Sequence, residues 1–364
     1  MSPTRVSRYE RLVAGQSRGL LATGARAGLR ALAGLYGVGV GARNRLFDAG
    51  LRKVHALPVP VISVGNLTVG GTGKTPLILW LTETLIGRGL RVAVLARGYG
   101  ADRGQLNDEL QLVARRCPQA RCVADPDRVA AARRILREDR PDVILLDDGF
   151  QHRRLGRDLD IVTLDATCPF GHGHLLPRGR LRESPVGLRR AGVVVLTHAD
   201  RVDDDARTRL INDLRAIAGP LDVLCARHRA DGLVTLAGEA VPTALPAGCP
   251  VACFCSIARP ESFERTVRDL GYLPIETRAW PDHHRYGPDN IRDLAQWAKA
   301  LPVEAVLTTE KDAAKLTDHA VDWPCPVRAV RISIDFFSNG ATILATKLDR
   351  TIHGEPNGSR SESS

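Results

Sequence analysis

Gly65-Asn66-Leu67-Thr68-Val69-Gly70-Gly71-Thr72-Gly73-Lys74-Thr75-Pro76 is the stretch on which the reading of this chain turns. It follows Val59-Pro60-Val61-Ile62-Ser63-Val64, a β-branched run that reads as a buried strand. It precedes Leu77, Ile78, Leu81 and Leu85, which recur at helical spacing. Strand, glycine-rich turn and helix is the context of a phosphate-binding loop. Its glycines let backbone amides converge on phosphate oxygens at a helix N-terminus, its lysine (Lys74) reaches the β- and γ-phosphates, and its hydroxyl (Thr75) holds Mg²⁺. Thr68, Val69, Gly70, Gly71, Thr72, Gly73, Lys74 and Thr75 are therefore the expected nucleotide contacts. Thr68 stands where the usual G-x-x-x-x-G-K-[ST] pattern has its first glycine. Pro76 is tolerated because the first helical turn has no amide bond to lose. The plain alternative is a glycine-rich turn with an incidental lysine. Against it, lysine occurs here only at 53, 74, 299, 311, 315 and 347.

Outward from this loop the pattern alternates. Arg91 to Leu95 reads as a strand, a polar loop holding Asn107-Asp108-Glu109 follows, and Asp125-Pro126 reads as the cap and first residue of a helix. Val143-Ile144-Leu145-Leu146-Asp147-Asp148-Gly149 is a buried strand ending in paired carboxylates, the Walker B form, where Asp holds Mg²⁺ directly or through water. Two further strands, Leu159 to Leu164 and Val193 to Thr197, complete a parallel sheet covered on both faces. Thr197-His198-Ala199-Asp200 sits where GTPases carry N-K-x-D but lacks the Asn and Lys, so guanine selectivity is not supported.

The 364 residues suffice for two domains. The expected division is a basic segment over 1–53, a nucleotide-binding domain over 54–226, a linker over 227–248, a smaller α/β lobe over 249–350 completing a substrate cleft, and a disordered tail over 351–364. Eight cysteines without a C-x-x-C pair read as reduced thiols. The formal net charge is +10, and Arg5, Arg8, Arg11, Arg18, Arg26, Arg30, Arg43, Arg45, Arg52 and Lys53 face only Glu10 and Asp48 within the first 53 residues. A nucleic-acid-binding protein would spread such charge over a folded face and would carry more aromatic residues, so no nucleic-acid partner is expected. The segment interleaves these arginines with Leu20, Leu21, Leu29, Leu32 and Leu35 and then runs apolar from Ala31 to Ala42, too short to span a bilayer. It fits a basic amphipathic helix on an anionic membrane surface, or a surface helix packed on its own domain.

The sequence resembles the tetraacyldisaccharide 4′-kinases of lipid A synthesis over nearly its whole length. The resemblance is carried by Val64 to Thr68 leading into Gly70 to Pro76, Arg97-Gly98-Tyr99-Gly100, Asp147 to His152, Leu176-Pro177-Arg178-Gly179 with Arg182-Glu183, Pro281-Asp282-His283-His284 and Thr309-Glu310-Lys311-Asp312. Thr68 is itself usual in that family. The resemblance implies ATP and Mg²⁺ as cofactors and an acylated glucosamine disaccharide 1-phosphate as acceptor at its 4′-hydroxyl. The product is the bisphosphorylated lipid A precursor, made by a peripheral protein at the cytoplasmic face of the bacterial inner membrane; no obligate protein partner is inferred. It implies a catalytic role for Asp108 with His283 and with Lys74, and places Asp147, Asp148 and Glu183 beside the metal with Thr75. Arg97, Tyr99, Glu109, Arg128, Gln151 and His152 match positions around phosphates or substrate. Arg178, Arg180 and Arg182 are either solvated charge or a site for the substrate's 1-phosphate. The family usually reads Gly-Asp-Glu-Pro where this chain has Asn107-Asp108-Glu109-Leu110, and either His283 or His284 enters the cleft, with His283 favoured. A membrane-associated P-loop switch ATPase is the alternative; it accounts for the loop, Asp147 and the basic segment but leaves Asp108 and His283 without a task.

Overall fold

The computed structural model describes residues 8–98, 106–241, 245–316 and 321–354. Two helices come first, α1 (Arg8–Val13) and α2 (Leu20–Asp48). An alternating run follows: β1 (Val61–Asn66), α3 (Lys74–Gly87), β2 (Val92–Ala96), α4 (Asp108–Arg116), β3 (Arg121–Ala124), α5 (Arg128–Glu138), β4 (Val143–Asp147), β5 (Leu159–Asp165), β6 (Val193–Thr197) and α6 (Asp204–Ala218). The rest is β7 (Asp222–Val234), β8 (Pro250–Cys255), α7 (Pro260–Asp269), β9 (Leu273–Ala279), α8 (Pro288–Lys299), β10 (Ala305–Thr309), α9 (Glu310–Ala313), β11 (Val327–Phe336) and α10 (Gly340–His353). Among the described residues no helix is long and apolar enough to cross a membrane.

The chain forms two compact units, neither continuous in sequence. Among the described residues the first unit draws on 8–97, 119–227 and 334–354, and the second on 98, 106–118 and 228–333. This differs from the division read off the sequence. The stretch 227–248 is not a bare linker: β7 runs on to Val234, and an antiparallel bridge between Val234 and Ala240 closes a hairpin. Leu233 and Val234 are buried there, so apolar contact fixes the segment. The chain also returns to the first unit, where Leu344 and Leu348 of α10 are fully buried and Lys347 Nζ donates to Gly192 O at 2.7 Å. Of the expected tail, only residues up to Gly354 lie within the described residues.

In the first unit seven strands lie in the order β3-β2-β4-β1-β5-β6-β7, and every neighbouring pair is parallel. Each residue of β1, β2, β4, β5 and β6 is buried, which is why these strands read as continuous Val, Ile and Leu runs. The order changes direction at β1, with β4 on one side and β5 on the other, and the pairing of Val64 with Asp147 brings the ends of β1 and β4 together. Such a switch point is where an open α/β sheet leaves its ligand crevice. Leu77, Ile78, Leu81 and Leu85 of α3 are buried on the sheet. α5 starts two residues later than its sequence signal: Asp127, not Asp125, accepts from the Val129 and Ala130 amides, while Asp125 accepts from the Asp127 amide in a turn before it.

The polar loop expected around Asp108 is a helix. Asn107 caps α4 by accepting from the Leu110 amide at 3.3 Å, and Leu110, Leu112 and Val113 bury its apolar face. A helix this short, apolar only on its inward face, carries little periodicity to separate it from a polar loop. In the second unit β11, β10, β8 and β9 pair in parallel in that order. Its core centres on fully buried Phe254, edge-on to Tyr286 at 5.7 Å and stacked with Trp323 at 6.4 Å.

A Cβ added at Gly65 would lie 2.5 Å from Phe150 Cβ and 2.8 Å from the Phe150 backbone nitrogen. The strand before the phosphate-binding loop and the turn after β4 are thus in contact only because residue 65 has no side chain. Gly65→Ala is expected to lower stability by about 1–3 kcal/mol, read as a shift in the denaturant midpoint; a midpoint within error of wild type would show that Phe150 can move away.

Candidate active site

The first constellation gathers at the ends of β1 and β4 in the first unit. Gly70 and Gly73 take φ values of +111° and +77°, which let the loop turn sharply into α3. Lys74 is the first residue of α3, and its Nζ lies 3.4 Å from Asp148 Oδ1. Arg182 Nη1 donates to both oxygens of the same carboxylate, at 2.8 and 2.6 Å, and Arg128 Nη1 donates to the Asp148 carbonyl at 3.0 Å. Burial alone would raise the Asp148 pKa, but the charges of Lys74, Arg182 and Arg128 outweigh it and hold the carboxyl at about 2. Asp148 itself turns through φ +52°, so the backbone there is strained toward this geometry. Asp147 ends β4 and is buried, and Thr75 lies in the first turn of α3.

A strap from 174 to 182 frames the loop. The Val69 amide donates to Arg180 O at 2.8 Å, and the Arg182 amide donates to Leu67 O at 2.7 Å. Inside the loop, Thr72 and Thr163 share a hydroxyl hydrogen bond of 2.9 Å, and Thr197 Oγ1 donates to Thr72 O at 2.9 Å. The strap also carries Arg178, which is buried and donates to Val13 O at 2.9 Å. That contact ties Arg178 to the end of α1.

Glu183, expected beside the metal, is closely held by side-chain donors. It is buried, with Oε1 accepting from Gln151 Nε2 at 2.9 Å and Oε2 accepting from Asn44 Nδ2 at 3.0 Å and Arg190 Nη2 at 2.8 Å. Gln151 Nε2 donates also to Asn66 O at 3.0 Å. Helix α2 adds Tyr36, whose hydroxyl donates to Arg182 O at 2.8 Å, and Arg43, which donates to Gln151 O at 2.6 Å. Tyr36, Arg43, Asn44 and Arg190 were not singled out from sequence, and only the basic character of α2 gave a hint. Arg97 is exposed at the end of β2, and Tyr99 lies outside the described residues.

The second constellation lies wholly in the second unit, at the start of α4. His283 Nδ1 is 3.2 Å from Asp108 Oδ2, with His283 at φ +63°. His284 instead stacks on Trp280 at 5.8 Å and meets Tyr286 edge-on at 5.0 Å, so the adjacent histidines divide between carboxylate and core. Lys315 Nζ lies 2.9 Å from Asp108 Oδ2, and Lys311 Nζ lies 2.8 Å from Glu109 Oε1. Burial works against ionisation of Asp108, but hydrogen bonds from His283 and Lys315 and the charges of Lys315 and Lys311 bring it to about 2. The Asp108 hydrogen bond raises the His283 pKa, against the opposing effects of burial and Lys311.

A phosphate-binding loop at the switch point of a parallel sheet, backed by acidic residues at the next strand end, defines a P-loop nucleotide-binding protein. The comparisons with known proteins narrow this class. The model of the tetraacyldisaccharide-1-P 4′-kinase family matches residues 25–352, and the chain belongs to that family. It is 41% identical over 343 residues to the tetraacyldisaccharide 4′-kinase of Anaeromyxobacter sp. (strain Fw109-5), covering 88% of this chain and 90% of that one. The Bdellovibrio bacteriovorus protein of the same name is 35% identical over 320 residues, covering 82% and 93%. The Aquifex aeolicus LpxK crystal structure in complex with ATP superposes with a TM-score of 0.72 at 29% identity, covering 90% of this chain and 99% of that chain. The expected α/β P-loop fold and the family read from the motifs are thereby borne out.

One pH dependence follows from His152. Burial, then the charges of Arg128, Arg157, Arg154 and Arg43, lower its pKa from 6.5 to about 4. Between those values the unfolded chain holds a proton on His152 that the folded chain does not, so stability falls as pH drops from 6.5 to 4. His152→Gln should reduce the slope of stability against pH by about one proton across that window, measured by denaturant titration at several pH values. An unchanged slope would mean that the imidazole titrates normally in the fold.

Proposed function

We propose that this chain moves the γ-phosphate of ATP to the 4′-hydroxyl of a tetraacylated glucosamine disaccharide 1-phosphate, giving the bisphosphorylated lipid A precursor. Thr68 to Thr75 cradle the triphosphate with backbone amides, and Lys74, drawn on Asp148 in the structure, turns to the β- and γ-phosphates. Arg128 lies beside the Asp147 and Asp148 carboxylates and His152 lies within reach of the Arg128 charge; both are assigned to the phosphates with Arg97, while Tyr99 and Glu109 are assigned to the acceptor. Gln151 is assigned to ordering Glu183, and Glu183 to ordering the arginines around it.

The donors at the first constellation fit Mg²⁺. The Thr75 hydroxyl and the Asp147 and Asp148 carboxylates are hard oxygen ligands, and Asp148 is ionised at any physiological pH. Among the described residues no group of three or more His, Cys, Asp or Glu could hold a metal by itself, in keeping with an ion shared with phosphate oxygens and water. When bound, the ion would neutralise charge on the β- and γ-phosphate oxygens.

The observation that favours a kinase over an ATP-hydrolysing switch is the Asp108–His283 pair at 3.2 Å. Asp108 is to receive the proton of the acceptor hydroxyl as the new O–P bond forms, and His283 holds the carboxylate in place. A carboxyl near 2 is a weak base. In a loose phosphoryl-transfer transition state the proton leaves late, so orientation of the hydroxyl contributes more than basicity. Labelled ATP and a 1-phosphorylated, acylated glucosamine disaccharide in detergent should give labelled lipid, with Asp108→Ala reducing kcat by about 10²–10⁴-fold at unchanged ATP affinity. Phosphate release without labelled lipid would replace the kinase reading by the switch ATPase.

The same reading places the protein peripherally on the cytoplasmic face of the inner membrane, where such an acceptor is embedded. In α2, Leu20 and Leu21 are each 92% exposed and Leu35 and Val38 each 72%, on a helix that also carries Arg26 and Arg30. Apolar side chains in water beside arginines suit insertion into an anionic surface. The contacts of Tyr36, Arg43 and Asn44 make truncation of α2 a poor test, since they reach Arg182, Gln151 and Glu183. Combined Leu20→Ser, Leu21→Ser and Leu35→Ser should cut activity on anionic vesicles at least about tenfold and leave detergent activity near wild type. Equal activity on vesicles would remove the membrane role.

A further inference from the structure

Lys315 is not among the residues to which a role has so far been assigned, yet it is held by several partners in the second unit. Its side chain is 8% exposed, with Nζ 2.9 Å from Asp108 Oδ2, 2.9 Å from Ser256 Oγ and 3.3 Å from Asp312 Oδ1. Asp312 is fully buried and accepts from the Ser256 amide at 2.9 Å, from Thr309 Oγ1 at 2.7 Å and from Ser256 Oγ. The Tyr286 ring lies 5.9 Å from Nζ and closes another side. A lysine clamped in this way divides its charge between the buried Asp312 carboxylate and the nearer Asp108 carboxylate.

Lys315 and His283 converge on the same oxygen, Oδ2, and among the described residues no hydrogen bond is made to Oδ1. We propose that Lys315 is a positioning residue for phosphoryl transfer: with His283 it pins Oδ2 of Asp108, so that Oδ1 is the oxygen that takes the acceptor hydroxyl. This rests on Asp108 being the proton acceptor. The proton then passes from the hydroxyl to Oδ1 while the acceptor oxygen bonds to the γ-phosphorus and the bond from that phosphorus to the departing ADP breaks. The charged groups around Asp108 are Glu109 on its own helix, Asp282 and His283 from the turn before α8, and Lys311, Asp312 and Lys315 from α9 and the turn after it. Of the three cations, Lys311 is committed to Glu109 and Asp282, at 2.8 and 3.5 Å.

The test is a double-mutant cycle on the full-length protein, with kcat, KM for ATP and a pH profile for each variant. Lys315→Gln should lower kcat about 10–100-fold with KM for ATP unchanged, and should raise the acid limb of kcat/KM by about 1–3 pH units, because an ionised neighbour that favoured the Asp108 carboxylate is gone. In an Asp108→Asn background the same substitution should cost less than about threefold, since Lys315 acts through that carboxylate. An equal loss in both backgrounds, or an acid limb that does not move, overturns the proposal while the loss in Asp108→Asn keeps the proton-acceptor reading. No loss in Asp108→Asn alone overturns that reading and the proposal with it. Lys315→Arg, which keeps the charge over Asp312, decides the case in which the neutral variant fails to fold. It should retain an unmoved acid limb, and a limb displaced as far as one unit would count against Lys315 as the fixed partner of Oδ2.

Discussion

The carboxylate of Asp148 is shared by two cations of different origin, and the first unit is arranged around that sharing. Lys74 comes from the start of α3, where the loop after β1 ends, Arg182 from the strap, and Asp148 from the turn that follows β4. Each stands at the end of a segment fixed by backbone pairing: β1 with β4, and the strap with Leu67 and Val69. The Coulomb attraction therefore closes an arrangement that the sheet already imposes, which is the condition under which a half-buried ion pair gains more than it loses in desolvation. The carboxylate holds both cations at the end of β4.

The second unit solves a different electrostatic problem with similar means. Asp108 and Glu109 open a helix, where the partial positive charge of the N-terminus already favours carboxylates. Lys311 and Lys315, one turn apart, then deliver one cation to each. The cost is basicity: a carboxyl held near 2 cannot pull a proton from an alcohol early. What it can do is stay ionised and stay still. For the proposed transfer, in which the alcohol oxygen attacks an already loosened phosphoryl group, a fixed acceptor of a late proton is the more useful property.

The phosphate-binding loop, the strands and the main carboxylates were legible because each has a local cause: β-branched runs for strands buried on both faces, glycines for a turn through positive φ, an acid at a strand end. The start of α4 was not, since its capping residue and its three buried apolar positions carry too little periodicity to separate a nine-residue helix from a polar loop. The partners of Glu183 are not legible in the motif, because motif position says nothing about which donors crowd its oxygens, and Asn44, from more than a hundred residues away, is one of them. Lys315 was visible in one sense only. Two of the six lysines fall four residues apart, which puts both on one side of a helical turn.

At Leu110 a departure from the expected pattern preserves the geometry of the helix start. Where the family pattern suggested by the sequence motifs has proline after the acidic pair, this chain carries a leucine that is fully buried and whose amide donates to Asn107. Proline at that position would fix one backbone torsion but has no N–H to give the cap. The leucine exchanges that torsional constraint for a capping hydrogen bond and for apolar area buried beneath the first turn, a combination of about 1 kcal/mol from the cap and about 2 kcal/mol from the side chain. The Asp108 carboxylate is therefore carried on a turn held from both ends, by Asn107 outside and Leu110 inside, before any lysine or histidine touches it. The order of these constraints matters: side chains that only neutralised Asp108 would follow it wherever the loop went, whereas a capped and buried turn gives them a fixed point to bind.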